Sequence, residues 1–200
     1  MCLRDRIEVF GNIESMSKIL FVAFTIPKKW NDACVNYRVL YADDKLFKWT
    51  TEDNLHITLV FLGAVEEDIV PEISDALSDI ASIQQPFSLQ LKQVEYGPEG
   101  KTPSMIWARF KDNVDYDTLA ARTIEELTFV LGKLETLKPI PHVTLARLNK
   151  DMEKPKTLPY LENSPNGEEV MEVTQMLLME SKTSQSGSTY KTLATFDFQQ

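Results

Sequence analysis

Apolar and polar positions along the first half of the chain predict a strand, a helix, a second strand and a second helix. Residues 18–26 are rich in β-branched and aromatic side chains and predict a buried strand, and Pro27 suits the first turn of a helix that runs to about Leu40. Residues 55–62 predict a strand that ends at Gly63. Acidic residues 66–68 then predict the start of a helix, in which apolar residues repeat at a period of 3.6 from Ile69 to Ile80.

The second half predicts more strands than helices. Turn-forming residues 97–103 lie between two apolar runs and indicate a hairpin. Gly132 indicates the end of a helix. The predicted elements are strands 87–96 and 105–111, a helix over 115–131, a strand over 142–148, a loop over 150–167, and strands 170–179 and 190–198.

The order of these elements predicts a single α+β domain over residues 18–200, preceded by an extension over residues 1–17 that lacks the apolar stretch of a secretory signal. Residues 54–63 (NLHITLVFLG) align with residues 140–149 (IPHVTLARLN) at a fixed offset of 86 positions. This weak duplication predicts two similar lobes that face each other.

The duplicated segments contain both histidines of the chain, in the frames His56-Ile57-Thr58-Leu59 and His142-Val143-Thr144-Leu145. Ordinary residue usage would give such a pair by chance with a probability of roughly one in a million. Side chains two positions apart share one face of a strand, so each strand offers one imidazole and one hydroxyl to the same space. By the same alternation, Ile57, Leu59 and Phe61 should point into the core.

Two imidazoles and two hydroxyls in one cleft would form an acid, a base and an anion-binding set. Imidazole titrates near pH 6.5, so one ring can accept a proton while the other donates one. Thr58 and Thr144 could donate hydrogen bonds to the oxygens of a phosphate.

Composition narrows the class of function. The formal net charge of −9 argues against nonspecific coating of nucleic acid, because that affinity depends on Lys and Arg. Only Cys2 and Cys34 are present, which favours a reducing cytoplasm over a disulfide framework. No segment is apolar enough to span a bilayer, and no Cys or His cluster has the spacing of metal ligands, so we expect no membrane association and no metal.

The histidine frames and their flanks resemble a known family. Trp49–Gly63 (WTTEDNLHITLVFLG), Pro141–Arg147 (PHVTLAR) and the Tyr190–Phe198 tail are similar to the two-histidine (2H) phosphoesterases, and within them to the RNA 2′,3′-cyclic phosphodiesterases, historically called 2′-5′ RNA ligases. The resemblance covers about residues 18–198. It implies a bilobal pseudo-twofold fold in which two antiparallel sheets line a central cleft with the helices outside.

The resemblance also implies metal-independent and cofactor-independent hydrolysis of 2′,3′-cyclic phosphates to 2′-phosphomonoesters. One histidine would activate water, the other would protonate the departing 3′ oxygen, and Thr58 and Thr144 would hold the non-bridging oxygens. We assign His56 as the acid and His142 as the base, although a pseudo-symmetric site is equally compatible with the reverse.

Other side chains are secondary candidates. Arg147 matches an Arg of the family's second motif, but strict alternation places it on the face opposite His142, where it could support the site or pair with a carboxylate. Tyr190, Trp49 and Trp107 could stack on a base, although buried aromatic residues more often belong to the core. Lys138 could attract phosphate.

The expected substrates are RNA ends, short oligonucleotides or small cyclic nucleotides, including ADP-ribose cyclic phosphate, and we expect a cytoplasmic monomer. Cleavage of 2′-5′-linked oligonucleotides and RNA ligation suit the same four residues and remain open. A non-catalytic nucleotide-binding module is an alternative of a different class. A serine or cysteine hydrolase is disfavoured, because the chain has no GxSxG motif and neither cysteine has a recognisable nucleophile context.

Overall fold

The structure is a computed structural model that describes residues 17–41, 45–134, 138–149, 151–152, 157–162, 170–184 and 187–199. Within these residues, three α-helices accompany one antiparallel sheet. The helices are α1 (Lys28–Val39), α2 (Val70–Ile83) and α3 (Val114–Leu131). The strands are β1 (Ser17–Thr25), β2 (Phe47–Trp49), β3 (His56–Glu66), β4 (Phe87–Gly97), β5 (Met105–Phe110), β6 (His142–Leu148), β7 (Val170–Val173), β8 (Gln175–Ser184) and β9 (Gly187–Asp197).

The strands follow the order β7-β4-β5-β6-β3-β1-β8-β9, and β2 adds to β6. The two motif strands therefore meet in the middle, where Ile57 of β3 pairs with Val143 of β6. On either side of this junction lies an antiparallel half of three or more strands. The predicted α+β class is confirmed, and the two sheets expected to line the cleft are the two halves of one continuous sheet.

Alternation along β1 separates the two faces of the sheet. Leu20, Val22 and Phe24 join the main core together with residues of the helices. Phe21 and Ala23 belong to a small separate cluster on the other face, next to Tyr190. Each large apolar side chain that is fully buried on the helical face contributes roughly 1.5–3 kcal/mol. The helices thus stabilise one face of the sheet and leave the other face available for a cleft.

Helix α3 shows how local sequence and packing support a motif strand. The side chain of Asn113 caps the helix by accepting a hydrogen bond from the backbone N–H of Tyr116 at 2.9 Å. The helix ends at Gly132, whose φ of 71° is unfavourable for other residues, and this predicted end is confirmed. The Tyr116 hydroxyl donates to the Thr58 carbonyl at 3.0 Å, which ties the helix to β3.

Several predicted boundaries were wrong, including those of the last two strands, of which the first runs to Ser184 rather than to residue 179 and the second begins at Gly187 rather than at residue 190. Strand β3 does not end at Gly63 but continues to Glu66, because Gly63 adopts a φ of +75° beside a shift in the β1–β3 register. The run 170–179 is not one strand, because it breaks at Thr174. Strand β7 then pairs with β4 in one half of the sheet, whereas β8 pairs with β1 in the other.

The predicted extension lies outside the described residues except for Ser17, which opens β1. The division into an extension and a domain therefore stays a prediction. Most of the predicted loop over residues 150–167 also lies outside the described part. Among the helices that are described, none is both long and apolar enough to cross a membrane.

Candidate active site

The junction of β3 and β6 brings the two histidine frames into one pocket. Ile57 pairs with Val143, and each of these residues has a His before it and a Thr after it. Because the strands are antiparallel, both histidines and both threonines lie next to this residue pair. The pocket has a volume of about 410 Å³ and is lined by His56, Thr58, His142 and Thr144. The structure therefore brings together the four residues that the sequence singled out.

Both imidazole rings are oriented in the same way. Nδ1 of His56 lies 2.7 Å from the carbonyl oxygen of Asn54, and Nδ1 of His142 lies 2.7 Å from that of Ile140. A carbonyl oxygen only accepts, so Nδ1 donates in each ring and Nε2 is the atom that can exchange a proton. Nε2 of His56 lies 3.2 Å from the Thr58 hydroxyl oxygen.

The aromatic surroundings of the two rings differ. His142 stacks on Trp107, with ring centroids 4.0 Å apart and an angle of 29° between the planes. His56 instead meets the edge of Tyr190 at 4.9 Å and a tilted Phe21 ring at 5.1 Å. The pseudo-twofold site is therefore asymmetric in the contacts around each imidazole.

Both histidines favour the neutral form. Burial lowers the pKa of His142 to about 4, and the nearby positive charges of Arg109 and Arg147 act in the same direction, against the backbone hydrogen bond to Ile140. Burial also lowers the pKa of His56, with Arg147 as a further cause. The unliganded site at neutral pH therefore presents two unprotonated Nε2 atoms.

Arg147 lies in the pocket, so its predicted position on the opposite face was wrong. The register between β5 and β6 shifts between Ile106 and Trp107, and Leu145 and Ala146 are both buried in succession. This bulge resets the alternation and turns Arg147 to the same face as His142. The guanidinium contacts the Met105 sulfur at 3.3 Å.

The same irregularity occurs in the first frame. Leu59 and Val60 are both buried, next to a register shift between β1 and β3. Phe61 is consequently 51% exposed and lines the pocket, so its predicted place in the core was wrong. Phe61 follows His56 by five residues, and Arg147 follows His142 by five residues. The equivalent positions of the two motif strands therefore place an aromatic ring and a cation in the pocket.

Of the remaining candidates, Tyr190 and Trp107 line the pocket. Trp49 does not, because it packs with Tyr37, Tyr41 and Phe47 in an aromatic cluster on the core side. Lys138 lies at the surface and pairs with Asp117 at 3.2 Å, away from the pocket lining.

Sequence reasoning missed several residues that line the pocket: Phe21, Thr50, Asn54, Met105, Ser181 and Ser188. Thr50 and Asn54 precede the first frame, and their proximity could have suggested them. Asn54 donates a side-chain hydrogen bond to the Ser188 carbonyl at 2.9 Å and so joins the loop before β3 to the β8–β9 hairpin. The other residues come from strands whose position depends on the tertiary fold.

Several known proteins are similar to this chain in sequence. The family model described as LigT like Phosphoesterase matches residues 37–107, which include the first frame. The RNA 2′,3′-cyclic phosphodiesterase of Archaeoglobus fulgidus is 31% identical over 146 residues, which cover 72% of this chain and 80% of that protein. The protein of the same name from Bacillus subtilis is 31% identical over 100 residues, and the match spans 50% of this chain but only 55% of that relative.

Solved structures show the same fold. The Thermus thermophilus protein TT0787 has a TM-score of 0.75 at 25% identity, and the match covers 92% of this chain and 98% of that one. E. coli LigT complexed with 3′-AMP has a TM-score of 0.73 at 21% identity, covering 92% and 100%.

The fold and the relatives together define a phosphoesterase of the 2H superfamily. The chain belongs to the LigT-like family of RNA 2′,3′-cyclic phosphodiesterases. The predicted family and the predicted enzyme class, a cyclic phosphodiesterase, are confirmed.

Proposed function

We propose that this chain opens 2′,3′-cyclic phosphates at RNA ends, in short oligonucleotides or in nucleotides to give 2′-phosphomonoesters, with His56 as the acid and His142 as the base. One observation carries this proposal. Both imidazoles are held at Nδ1 by a backbone carbonyl, which leaves two Nε2 atoms for one pocket. In-line hydrolysis needs one group that takes a proton from water and another that gives a proton to the leaving oxygen.

His142 is in the unprotonated form that a base requires. Burial and the positive charges of Arg109 and Arg147 keep Nε2 unprotonated and able to accept. Nε2 removes a proton from water as the water oxygen bonds to phosphorus. The bond between phosphorus and O3′ then breaks and leaves the phosphate on O2′.

His56 supplies the proton that O3′ takes up. Its ring is neutral in the unliganded site, and a bound phosphodiester anion would favour the protonated form by direct charge attraction. The proton enters from solvent and leaves to O3′. The proton that His142 gained returns to solvent, so the cycle balances.

Neutral and cationic donors hold the phosphate. Thr58 and Thr144 flank the histidines and can donate their hydroxyl hydrogens to the two non-bridging oxygens. The Arg147 guanidinium adds a positive charge that a phosphodiester attracts. Tyr190 forms part of the wall beside His56 and offers a ring for the sugar or base.

The expected substrate is short. The relatives carry the name RNA 2′,3′-cyclic phosphodiesterase, and E. coli LigT has been solved with 3′-AMP, which is a single nucleotide. The net charge of −9 disfavours long contacts along an RNA backbone. We further propose a cytoplasmic monomer, in which the described cysteine, Cys34, is a buried free thiol whose pKa burial raises to about 12, which makes it a poor nucleophile.

The test measures turnover of nucleoside 2′,3′-cyclic monophosphates and of a short RNA with a cyclic phosphate end, with EDTA present. The native chain is compared with His56→Ala, His142→Ala and the surface control Lys138→Ala. We expect a 2′-phosphate product identified by ³¹P NMR, a loss of about 10² to 10⁴ in kcat for each His variant, and native activity in the control.

Other results would redirect the assignment. Formation of the 3′-phosphate would contradict the departure of O3′, and full activity in either folded His variant would contradict the two-histidine mechanism. If the native protein binds these nucleotides without turnover, it is a binding module. If it converts only 2′-5′-linked oligonucleotides, or joins a cyclic phosphate end to a 5′-hydroxyl end, the cleavage or ligation alternative holds.

A further inference from the structure

The indole of Trp107 contacts only the second of the two catalytic candidates. Trp107 is buried, lies one strand away from the second frame at the register position of Thr144, and stacks flat against the His142 ring. The equivalent place beside the first frame, opposite Thr58, belongs to Ala23. The pseudo-twofold relation thus breaks at this position, which holds an indole beside the second frame and a methyl group beside the first. His56 contacts aromatic rings from other positions, a tilted Phe21 and the edge of Tyr190, and neither ring lies flat against it.

Gly97 has no room for a side chain because of this indole. A Cβ on Gly97 would lie 2.4–2.6 Å from three atoms of the Trp107 ring system, which is closer than real Cβ atoms approach. Gly97 and Met105 are paired across β4 and β5, so the backbone of β4 forms the back wall of the indole. Backbone on one side and imidazole on the other therefore hold the indole plane.

The charged groups around His142 do not favour a protonated ring. From β5, Arg109 is at the register position of His142, and its charge acts on this ring. Arg147 on β6 and the imidazole of His56 on β3 also lower the pKa of His142 by charge repulsion. The nearby carboxylates of Glu95 and Glu99 are engaged by Arg109, at 3.1 and 2.7 Å.

A base that ends the chemical step as a cation therefore needs another source of stabilisation. The face of an indole carries negative partial charge and attracts a cation placed over it. At 4.0 Å between centroids, His142 is within the range of such a contact. We propose that Trp107 is a positioning residue for His142, which fixes the plane of the imidazole and stabilises the imidazolium form through its indole face.

This inference rests on the proposed function for its catalytic meaning, but its electrostatic part can be tested without substrate. The chain has two histidines, so ¹³C-labelled histidine gives two resonances, and His56→Ala assigns them. The two rings are titrated in the native protein, Trp107→Phe and Trp107→Leu, from pH 8 to the limit of acid unfolding. Trp49→Phe is the matched control for Trp107→Phe. The indole N–H groups of Trp49 and Trp107 are both buried without a partner among the described residues, but Trp49 lies outside the pocket.

We expect the pKa of His142 to fall by about 0.5 to 1 unit in Trp107→Leu and by less in Trp107→Phe, while that of His56 stays unchanged. The sign is decisive. If the indole only excludes water, its loss hydrates the ring and raises the pKa toward 6.5, which overturns the proposal, as does an unchanged pKa. Gly97→Ala, which retains the indole but displaces it, should shift the His142 pKa in the same direction as Trp107→Leu.

Kinetics provide the second readout. We expect kcat of Trp107→Leu to fall about tenfold with KM within twofold, since the indole acts on a form of His142 that exists only during the chemical step. An equal loss in Trp49→Phe would indicate a general packing effect and overturn the proposal. If the native protein shows no turnover, the proposed reaction fails, whereas the titration still decides whether Trp107 stabilises the imidazolium.

Discussion

Ile57 and Val143 pair where β3 meets β6, and this pair joins the two halves of the sheet. Each of the two residues is preceded by a histidine and followed by a threonine. Because the strands run antiparallel, this pair lies on a local twofold axis. The axis relates His56 and Thr58 to His142 and Thr144. A short sequence repeat thereby becomes one site.

The pH dependence of kcat/KM follows from the lowered pKa of both histidines. With both rings neutral at pH 7, the form with one protonated ring is a minority that grows as the pH falls. We therefore expect kcat/KM for cytidine 2′,3′-cyclic monophosphate to rise as the pH is lowered from 8 to 6, by up to about tenfold per unit. It should fall again as His142 takes up a proton near pH 4. A profile that is flat between pH 6 and 8 would contradict the lowered pKa values.

Loss of one hydroxyl should weaken transition-state binding. In Thr58→Val the shape is kept but the donor is removed, and a hydrogen bond to a charged phosphate oxygen is worth about 1.5–3 kcal/mol. We expect kcat/KM to fall roughly 10- to 150-fold, with Thr58→Ser close to native. The measurement is steady-state kinetics on each variant with a thermal melt as the folding check. A similar loss in Thr58→Ser would show that the methyl group, not the hydroxyl, matters.

Removal of the Arg147 charge should act mainly on substrate binding. Arg147 lines the pocket, whereas Lys138 is at the surface with 79% of its side chain exposed. We expect Arg147→Met to raise KM by about 10- to 100-fold, in line with the loss of a charge-assisted hydrogen bond. The matched variant Lys138→Met should retain the native KM. Comparable effects of the two substitutions would mean that long-range charge, rather than contact in the pocket, attracts the substrate.

The buried His142 should also make stability depend on pH. Its folded-state pKa of about 4 lies below the ordinary value of 6.5, so the unfolded chain binds a proton first as the pH falls. Its contribution to the free energy of unfolding is present above pH 6.5 and should be lost between pH 6.5 and 4, on the order of 3 kcal/mol. Urea unfolding of the native protein and of His142→Gln, each at pH 6.5 and pH 4, measures this contribution to the free energy of unfolding. Equal losses in the two proteins would assign the pH dependence to other groups.

Much of the site could be predicted from local sequence. His56 and Thr58 share a face because they are two residues apart in a strand, and the same holds for His142 and Thr144. The repeat of this frame then predicted that the two strands place their His and Thr side chains in one common space. Most of the helices and strands also followed from apolar periodicity, since one buried face per element is enough to set its period.

Arg147 shows where such reasoning fails. Simple alternation excluded it from the pocket, but a bulge at Leu145 and Ala146 places two buried residues in succession and turns the next side chains over. A bulge depends on the pairing with β5, which the sequence of β6 alone does not contain. The same cause placed Phe61 wrongly in the core.

The sequence by itself determined the chemistry of the site, because the identity of the four motif side chains and their spacing within each strand are local properties. The tertiary structure decided everything that depends on neighbouring strands. It brought Trp107 under His142 and Tyr190 beside His56, and it turned Arg147 into the pocket. It also buried both imidazoles, and the pKa of each depends on that burial, because the cost of charging a ring is set by the solvent and charges around it rather than by its neighbours in the chain.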